Sequence, residues 1–246
     1  MGISYQLFCS RNFGPLPETL AMLRDAGFTE VEGYGALFSD VDAVKAALAE
    51  TGMKMTTAHI AVDDLESDPE KFVALAKELG MRAVYGPFLM PDDRPTDAEG
   101  WRAFGQRLAA AGKPFMDAGI TFGWHNHDFE LVDLGGGVTG LDCIAEAEGL
   151  TLELDLGWVA RAGADPEIVL ARFPGRISAV HVKDIAPAGE NENEGGWADL
   201  GHGTVDYAAL LPKVRAAGID HFVLEHDNPA DDKRFATRSL ATFQTL

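Results

Sequence analysis

TFGWHNH at 121–127, LTLELDL at 150–156, ISAVHVKD at 177–184 and HFVLEHD at 221–227 are four short apolar runs, each with a metal-capable side chain at or just beyond its end: Glu130, Asp155, His181 and Glu225. Loop-like or helix-forming sequence follows each run, which is the rhythm of βα units. Glu130, Asp155 and His181 are spaced about one strand, loop and helix apart, and the longer interval to Glu225 holds a Gly- and Asn-rich insertion at 186–203. One carboxylate or imidazole per strand end is how a barrel converges ligands on one point.

The preceding part of the chain repeats the rhythm. Strand-like runs at 3–9, 30–35, 54–60 and 82–89 alternate with helix-like stretches at 15–26, 41–50, 68–79 and 97–118. The four later runs are followed by helices expected at 138–148, 165–173, 207–217 and 231–243. AspPro at 68–69 and 165–166 supplies a cap and a first helical residue. Such crossovers demand a parallel sheet. No GxGxxG follows the first run, so a closed (β/α)8 barrel of the α/β class is expected over an open doubly wound sheet. One domain over 1–246 accords with the length of about 250 residues such a barrel needs. The insertion at 186–203 reads as an active-site lid, with a disordered loop as the alternative.

Composition narrows the function. The chain is 46% hydrophobic with mean hydropathy −0.04, and no run of ~18 apolar residues exists to span a bilayer. The first strand candidate begins at residue 3 with no basic and apolar leader before it, so a cytoplasmic protein is expected. Cys9 and Cys143 form no CxxC pattern, which argues against a disulfide framework or a structural zinc site. A net charge of −19 would repel a phosphate backbone, which excludes nucleic acid as a partner.

Strand parity orders the candidates. Glu225 and Asp227 share the inward face with Val223, Glu153 and Asp155 point inward between Leu152, Leu154 and Leu156, and His181 and Lys183 lie inward above Ile177 and Ala179. Carboxylates inside an apolar barrel are costly unless paired or bound to a cation. Three acids and an imidazole would suit one divalent ion, Mn²⁺ first, with Mg²⁺, Co²⁺ or Zn²⁺ as alternatives. His125 and His127 share parity in HNHDFE at 125–130 and could carry protons or donate to substrate hydroxyls. Either could instead replace Glu130 as a ligand. His59 is a substrate contact or a satisfied rim imidazole. Glu32, Tyr5, Phe88, Trp124 and Trp158 are rim or core residues that could wall a sugar face. Lys183 and His127 are expected to touch substrate rather than metal, because cationic groups beside an ion are repelled.

With these residues the chain resembles the sugar phosphate isomerase/epimerase superfamily, the xylose-isomerase-like TIM barrels that include tagatose epimerase, hydroxypyruvate isomerase, inosose dehydratase and endonuclease IV. The resemblance runs over nearly the whole chain. It is carried by HNHDFE at 125–130, LDLGWVARAGADP at 154–166, HVKD at 181–184, GHGTVDY at 201–207 and LEHDNP at 224–229. It implies one metal held by Glu130, Asp155, His181 and Glu225. Trp158 stands where the epimerases often have His, and HVKD looks more like the inosose dehydratase branch. The implied activity is isomerisation or epimerisation of a small sugar or keto-sugar by proton abstraction next to a carbonyl, with Glu130, Glu225, His127 and Lys183 as the proton-handling groups and an enediolate as intermediate. An inosose-type dehydratase or keto-glycoside lyase is the alternative, a non-catalytic sugar-binding barrel is a third reading, and homo-oligomerisation is left open. A DNA repair nuclease on this fold would need a basic groove and more ligands.

Overall fold

In the computed structural model, which describes residues 2–246, strands and helices alternate along the chain. The strands are β1 (Gly2–Gln6), β2 (Glu30–Tyr34), β3 (Lys54–His59), β4 (Ala83–Gly86), β5 (Thr121–His125), β6 (Thr151–Asp155), β7 (Ile177–Val182), β8 (Asp184–Ile185), β9 (Trp197–Ala198) and β10 (His221–Leu224). The helices are α1 (Leu16–Ala26), α2 (Val41–Thr51), α3 (Val62–Ser67), α4 (Pro69–Leu79), α5 (Ala98–Asp117), α6 (Gly140–Ala145), α7 (Leu156–Arg161), α8 (Pro166–Arg172), α9 (Tyr207–Ala216) and α10 (Asp232–Phe243). Eight strands follow one another in the order β1-β10-β7-β6-β5-β4-β3-β2 of a closed barrel, so the fold is the expected (β/α)8 barrel. β8 and β9 form a separate antiparallel hairpin.

The chain forms two compact units, one of residues 1–56 and 179–246 and one of residues 57–178. In the first, β1 pairs with β2 and β10, and β10 with β7, all in parallel. In the second, β3 pairs with β4, β4 with β5 and β5 with β6, again in parallel.

Aspartate starts most of the long helices. Asp40, Asp68, Asp97, Asp165, Asp206 and Asp231 each accept a backbone N–H from the first turn that follows, and each such cap is worth about 1 kcal/mol. Many of the acids behind the net charge therefore have a local structural role.

The strands end earlier than the apolar runs suggested. The first run stops at Gln6 because the Gln6 side chain accepts from Phe8 N at 3.0 Å and turns the chain into a 3-10 segment, Leu7–Ser10. The last stops at Leu224, which places Glu225 just past the strand. In β6, Leu152 and Leu154 are buried and alternate with the equally buried Glu153 and Asp155. Burying each leucine stabilises by roughly 1.5–3 kcal/mol, against the desolvation of the two acids. Cys9 and Cys143 are both buried free thiols. No helix among the described residues is long and apolar enough to cross a membrane.

Candidate active site

Within the first unit a chain of buried polar side chains runs between strand ends. Gln6 Nε2 donates to Glu32 Oε1 at 2.8 Å, and the same Glu32 oxygen lies 2.8 Å from His181 Nε2. His181 Nδ1 lies 2.8 Å from Glu225 Oε2, which is 2.9 Å from Lys183 Nζ. Lys183 Nζ in turn donates to Asp227 Oδ1 at 2.6 Å and sits 4.7 Å from the centre of the Trp197 ring. Lys183 is 1% exposed, so its charge is matched by these carboxylates rather than by water. Burial pushes the Asp227 carboxyl above the usual range, while the Lys183 ammonium opposes that rise.

The second unit carries a complementary group. His59 Nε2 lies 2.5 Å from Glu153 Oε2, and the same oxygen is 3.3 Å from His125 Nδ1. His125 Nε2 is 3.9 Å from Asp155 Oδ2. Asp155 ends β6 and caps α7, accepting the Trp158 N–H through Oδ1 at 2.8 Å. That cap fixes the carboxylate's rotation and so the direction of its other oxygen. Asn126 bolts the two neighbouring strand ends together, accepting from Asp155 N at 2.9 Å and donating to Asp155 O at 3.4 Å.

Glu130, expected as the first metal ligand and as a proton-handling group, faces elsewhere. Its two oxygens accept Trp124 Nε1–H at 2.7 Å and His127 N–H at 2.9 Å. Burial outweighs these donors and pushes its carboxyl up to about 8. The buried His, Asp and Glu side chains that could hold a metal ion are His59, His125, Glu153, Asp155, His181 and Glu225, without Glu130. In this structure His125 is the imidazole of HNHDFE whose ring nitrogen lies beside the Asp155 carboxylate, at 3.9 Å.

The other expected residues are placed as follows. Glu32 is fully buried and partners His181. His127 is half-buried among aromatic rings, 4.9 Å from Trp158, 5.1 Å from Phe88 and 5.7 Å from Phe129 between ring centres. Tyr5 and Trp124 belong to the core, whereas Phe88 is 39% exposed. The sequence reading gave Gln6, Asn126, Asp227 and Trp197 no role. Asp227 had a signal, the shared parity with Glu225; Trp197 had none, because nothing in the insertion fixes which of its residues turns inward.

The insertion at 186–203 is neither structureless nor detached. Asp184 accepts backbone N–H groups from Ile185, Gly201, Gly203 and Val205. Arg234 binds Glu194 and Asp199, and Arg238 also binds Asp199. Trp197, 2% exposed, is thereby held over Lys183.

The donor set fits a divalent ion by its chemistry: among the described residues, buried carboxylates and imidazoles outnumber the single buried ammonium, and mixed oxygen and nitrogen ligands suit Mn²⁺, Mg²⁺, Co²⁺ or Zn²⁺. The chain is 25% identical over 234 residues to the rhizopine catabolism protein MocC of Rhizobium meliloti, covering 83% of this chain and 72% of that protein. It is 25% identical over 191 residues to an inosose dehydratase of Geobacillus kaustophilus, covering 68% of this chain and 61% of the dehydratase. A crystal structure of a sugar phosphate isomerase/epimerase from Parabacteroides distasonis superposes with a TM-score of 0.82 at 18% identity, covering 99% of this chain and 93% of that one, a likeness of fold. Residues 20–244 match the family described as the xylose isomerase-like TIM barrel, and the chain belongs to that family.

Proposed function

We propose that the protein is a divalent-metal-dependent isomerase or epimerase of a small sugar or keto-sugar. The observation that supports this most is the hydrogen-bonded series Glu32, His181, Glu225, Lys183, Asp227, which holds one carboxylate, Glu225, between an imidazole and an ammonium at a strand end. In the proposal His125, Asp155, His181 and Glu225 hold the ion, with His125 in the place first given to Glu130. All four are buried and lie at the C-terminal ends of β5, β6, β7 and β10, the face on which barrels of this kind carry their chemistry. When bound, the ion, Mn²⁺ in the first instance, supplies Lewis-acid stabilisation of a substrate oxyanion.

The chain's own groups move the protons. Glu225 takes the proton from the carbon next to the carbonyl, and the C–H electron pair passes into the carbonyl to leave an enediolate. Return of a proton to the neighbouring carbon gives isomerisation; return to the opposite face of the same carbon gives epimerisation. Lys183 donates to the developing oxyanion, and His127, half-buried beside Trp158, contacts substrate hydroxyls together with His59. Glu32 positions His181.

A dehydratase reading is favoured by one specific feature, the Lys183–Asp227 pair, which could protonate a departing β-hydroxyl; one relative is an inosose dehydratase. Proton exchange in D₂O over a panel of ketoses, inososes and 3-keto-glycosides, with product analysis for lost water, decides between them. Glu225→Gln keeps the shape and one ligand oxygen but removes the base, which is typically worth about 10²- to 10⁴-fold in rate. Unchanged exchange in metal-loaded Glu225→Gln would sink the role of Glu225.

A further inference from the structure

A small cavity lies in the first unit, between the turn after β1, the first turn of α1 and the end of β2. Its volume is ≈ 60 Å³ and its lining includes Leu7, Ser10, Arg11, Thr19, Tyr34 and Leu37. A water needs about 10–15 Å³ on this measure, so the space suits a group the size of a carboxylate or a phosphate. Arg11 is fixed from one side: Nη1 donates to Phe8 O at 2.9 Å and to Asp227 O at 2.7 Å, and the guanidinium carbon lies 3.9 Å from the centre of the Phe8 ring. Among the described residues, its Nε and Nη2 donate to nothing and no carboxylate makes an ion-pair contact with it, although its charge reaches the Asp227 carboxylate. Arg102, Arg107 and Arg234, by contrast, each meet a carboxylate.

An immobilised guanidinium with the Nε and Nη2 edge unused presents the planar fork that carboxylates and phosphates take in two parallel hydrogen bonds. Tyr34 stands beside it, its ring edge-on to Phe8 at 5.4 Å. Burial raises the Tyr34 hydroxyl above its ordinary value, which keeps it a proton donor. In a chain of net charge −19 an anion finds few such places.

We propose that this pocket is an oxoanion subsite in which Arg11 and Tyr34 hold a phosphate ester or carboxylate at the far end of the substrate. The link to the reacting end is short: the carbonyl that fixes Arg11 belongs to Asp227, whose carboxylate holds Lys183, which touches Glu225. The assignment as a substrate subsite rests on the reading of Glu225 above; the binding of an anion does not.

Inorganic phosphate and acetate, titrated separately into the full chain by isothermal calorimetry, provide the test. The expected result is binding of at least one of them that weakens about tenfold or more in Arg11→Met and severalfold in Tyr34→Phe. Tyr34→Phe keeps the ring against Phe8 and decides the matter if Arg11→Met does not fold. Preference for phosphate identifies a sugar phosphate and preference for acetate a sugar acid. No binding, or affinities equal to wild type in both variants, overturns the subsite. A D₂O exchange assay run alongside separates the two claims: anion binding lost in the variants while Glu225→Gln exchanges normally overturns the role of Glu225 and leaves the pocket.

Discussion

Glu130 is a carboxyl group whose charge has no solvent to share, and that sets its behaviour with pH. Its folded value of about 8 lies above the ordinary 4.5, so the folded state holds the proton more tightly than the unfolded chain. The resulting stabilisation is fully present below about pH 4.5 and is lost as pH rises through about 8. Wild type should therefore lose stability between about pH 5 and 8 in urea titrations, and Glu130→Gln, which cannot ionise and can still accept from Trp124, is expected to remove that loss. An identical pH slope in the two proteins would show that Glu130 titrates normally. The same residue shows where sequence reading stops. Spacing placed an acid at the right distance along the chain, but Glu130 sits in a 3-10 turn, Phe129–Leu131, that directs it back onto Trp124. Lys183 is a different case, because parity alone turned it inward. The structure adds its partners, and Lys183→Met leaves Glu225 and Asp227 facing each other without a cation. Breaking a buried pair in this way costs about 3–5 kcal/mol. Lys183→Met with Asp227→Asn should recover part of that loss, and a strictly additive double mutant would mean that the two side chains do not interact.

Helices and strands were legible wherever a cap or a period marked them, and less so at the barrel's mouth. AspPro starts located α4 and α8 to within a residue, and the stretches expected at 97–118 and 231–243 match α5 and α10 as closely. The runs at strand ends read too long, because residues just past the last strand position stay buried, as Lys183 and Glu225 do, and so look like strand. α3 and α7, six residues each, escaped notice because each lies just before a marked AspPro helix start and is too short to show a period of its own. The hairpin of β8 and β9 was invisible for another reason: its organiser is one carboxylate, Asp184, whose four backbone donors come from both sides of a long insertion. Gly203 is part of that arrangement, since a Cβ there would stand 2.2 Å from Asp184 Oδ1. Gly203→Ala is thus expected to loosen the whole strap and uncover Trp197 and Lys183, read as faster backbone hydrogen exchange over 184–205 and red-shifted, more quenchable tryptophan emission. Protection equal to wild type would show that the strap is held by Arg234 and Arg238 instead.

At the scale of the whole molecule, 39 acidic against 20 basic residues give a pI near 4.6, so at neutral pH the folded chain repels itself. Some acids are neutralised locally: the helix-capping aspartates meet backbone N–H groups, and Glu66, Glu146, Glu194 and Asp199 meet arginines. The remainder act at long range, where salt matters most, because the Debye length falls from about 30 Å at 0.01 M to about 10 Å at 0.1 M. Unfolding spreads the charges apart, so the repulsion is greater in the folded state and screening it should favour folding. The arginine–carboxylate contacts work in the opposite direction, but those of Arg102 and Arg107 are exposed pairs worth about 0–1 kcal/mol each, and the carboxylates of Glu194 and Asp199 are buried, where salt screens little. The urea midpoint should therefore rise between about 0.01 M and 0.2 M KCl, while the slope of the transition stays constant because the surface exposed on unfolding is unchanged. KCl is the proper salt for this experiment, since phosphate or sulfate would also fill an oxoanion pocket at Arg11 and stabilise by mass action. A midpoint that falls with KCl would place the balance with the ion pairs, and would mean that the excess acids are already held by neighbours.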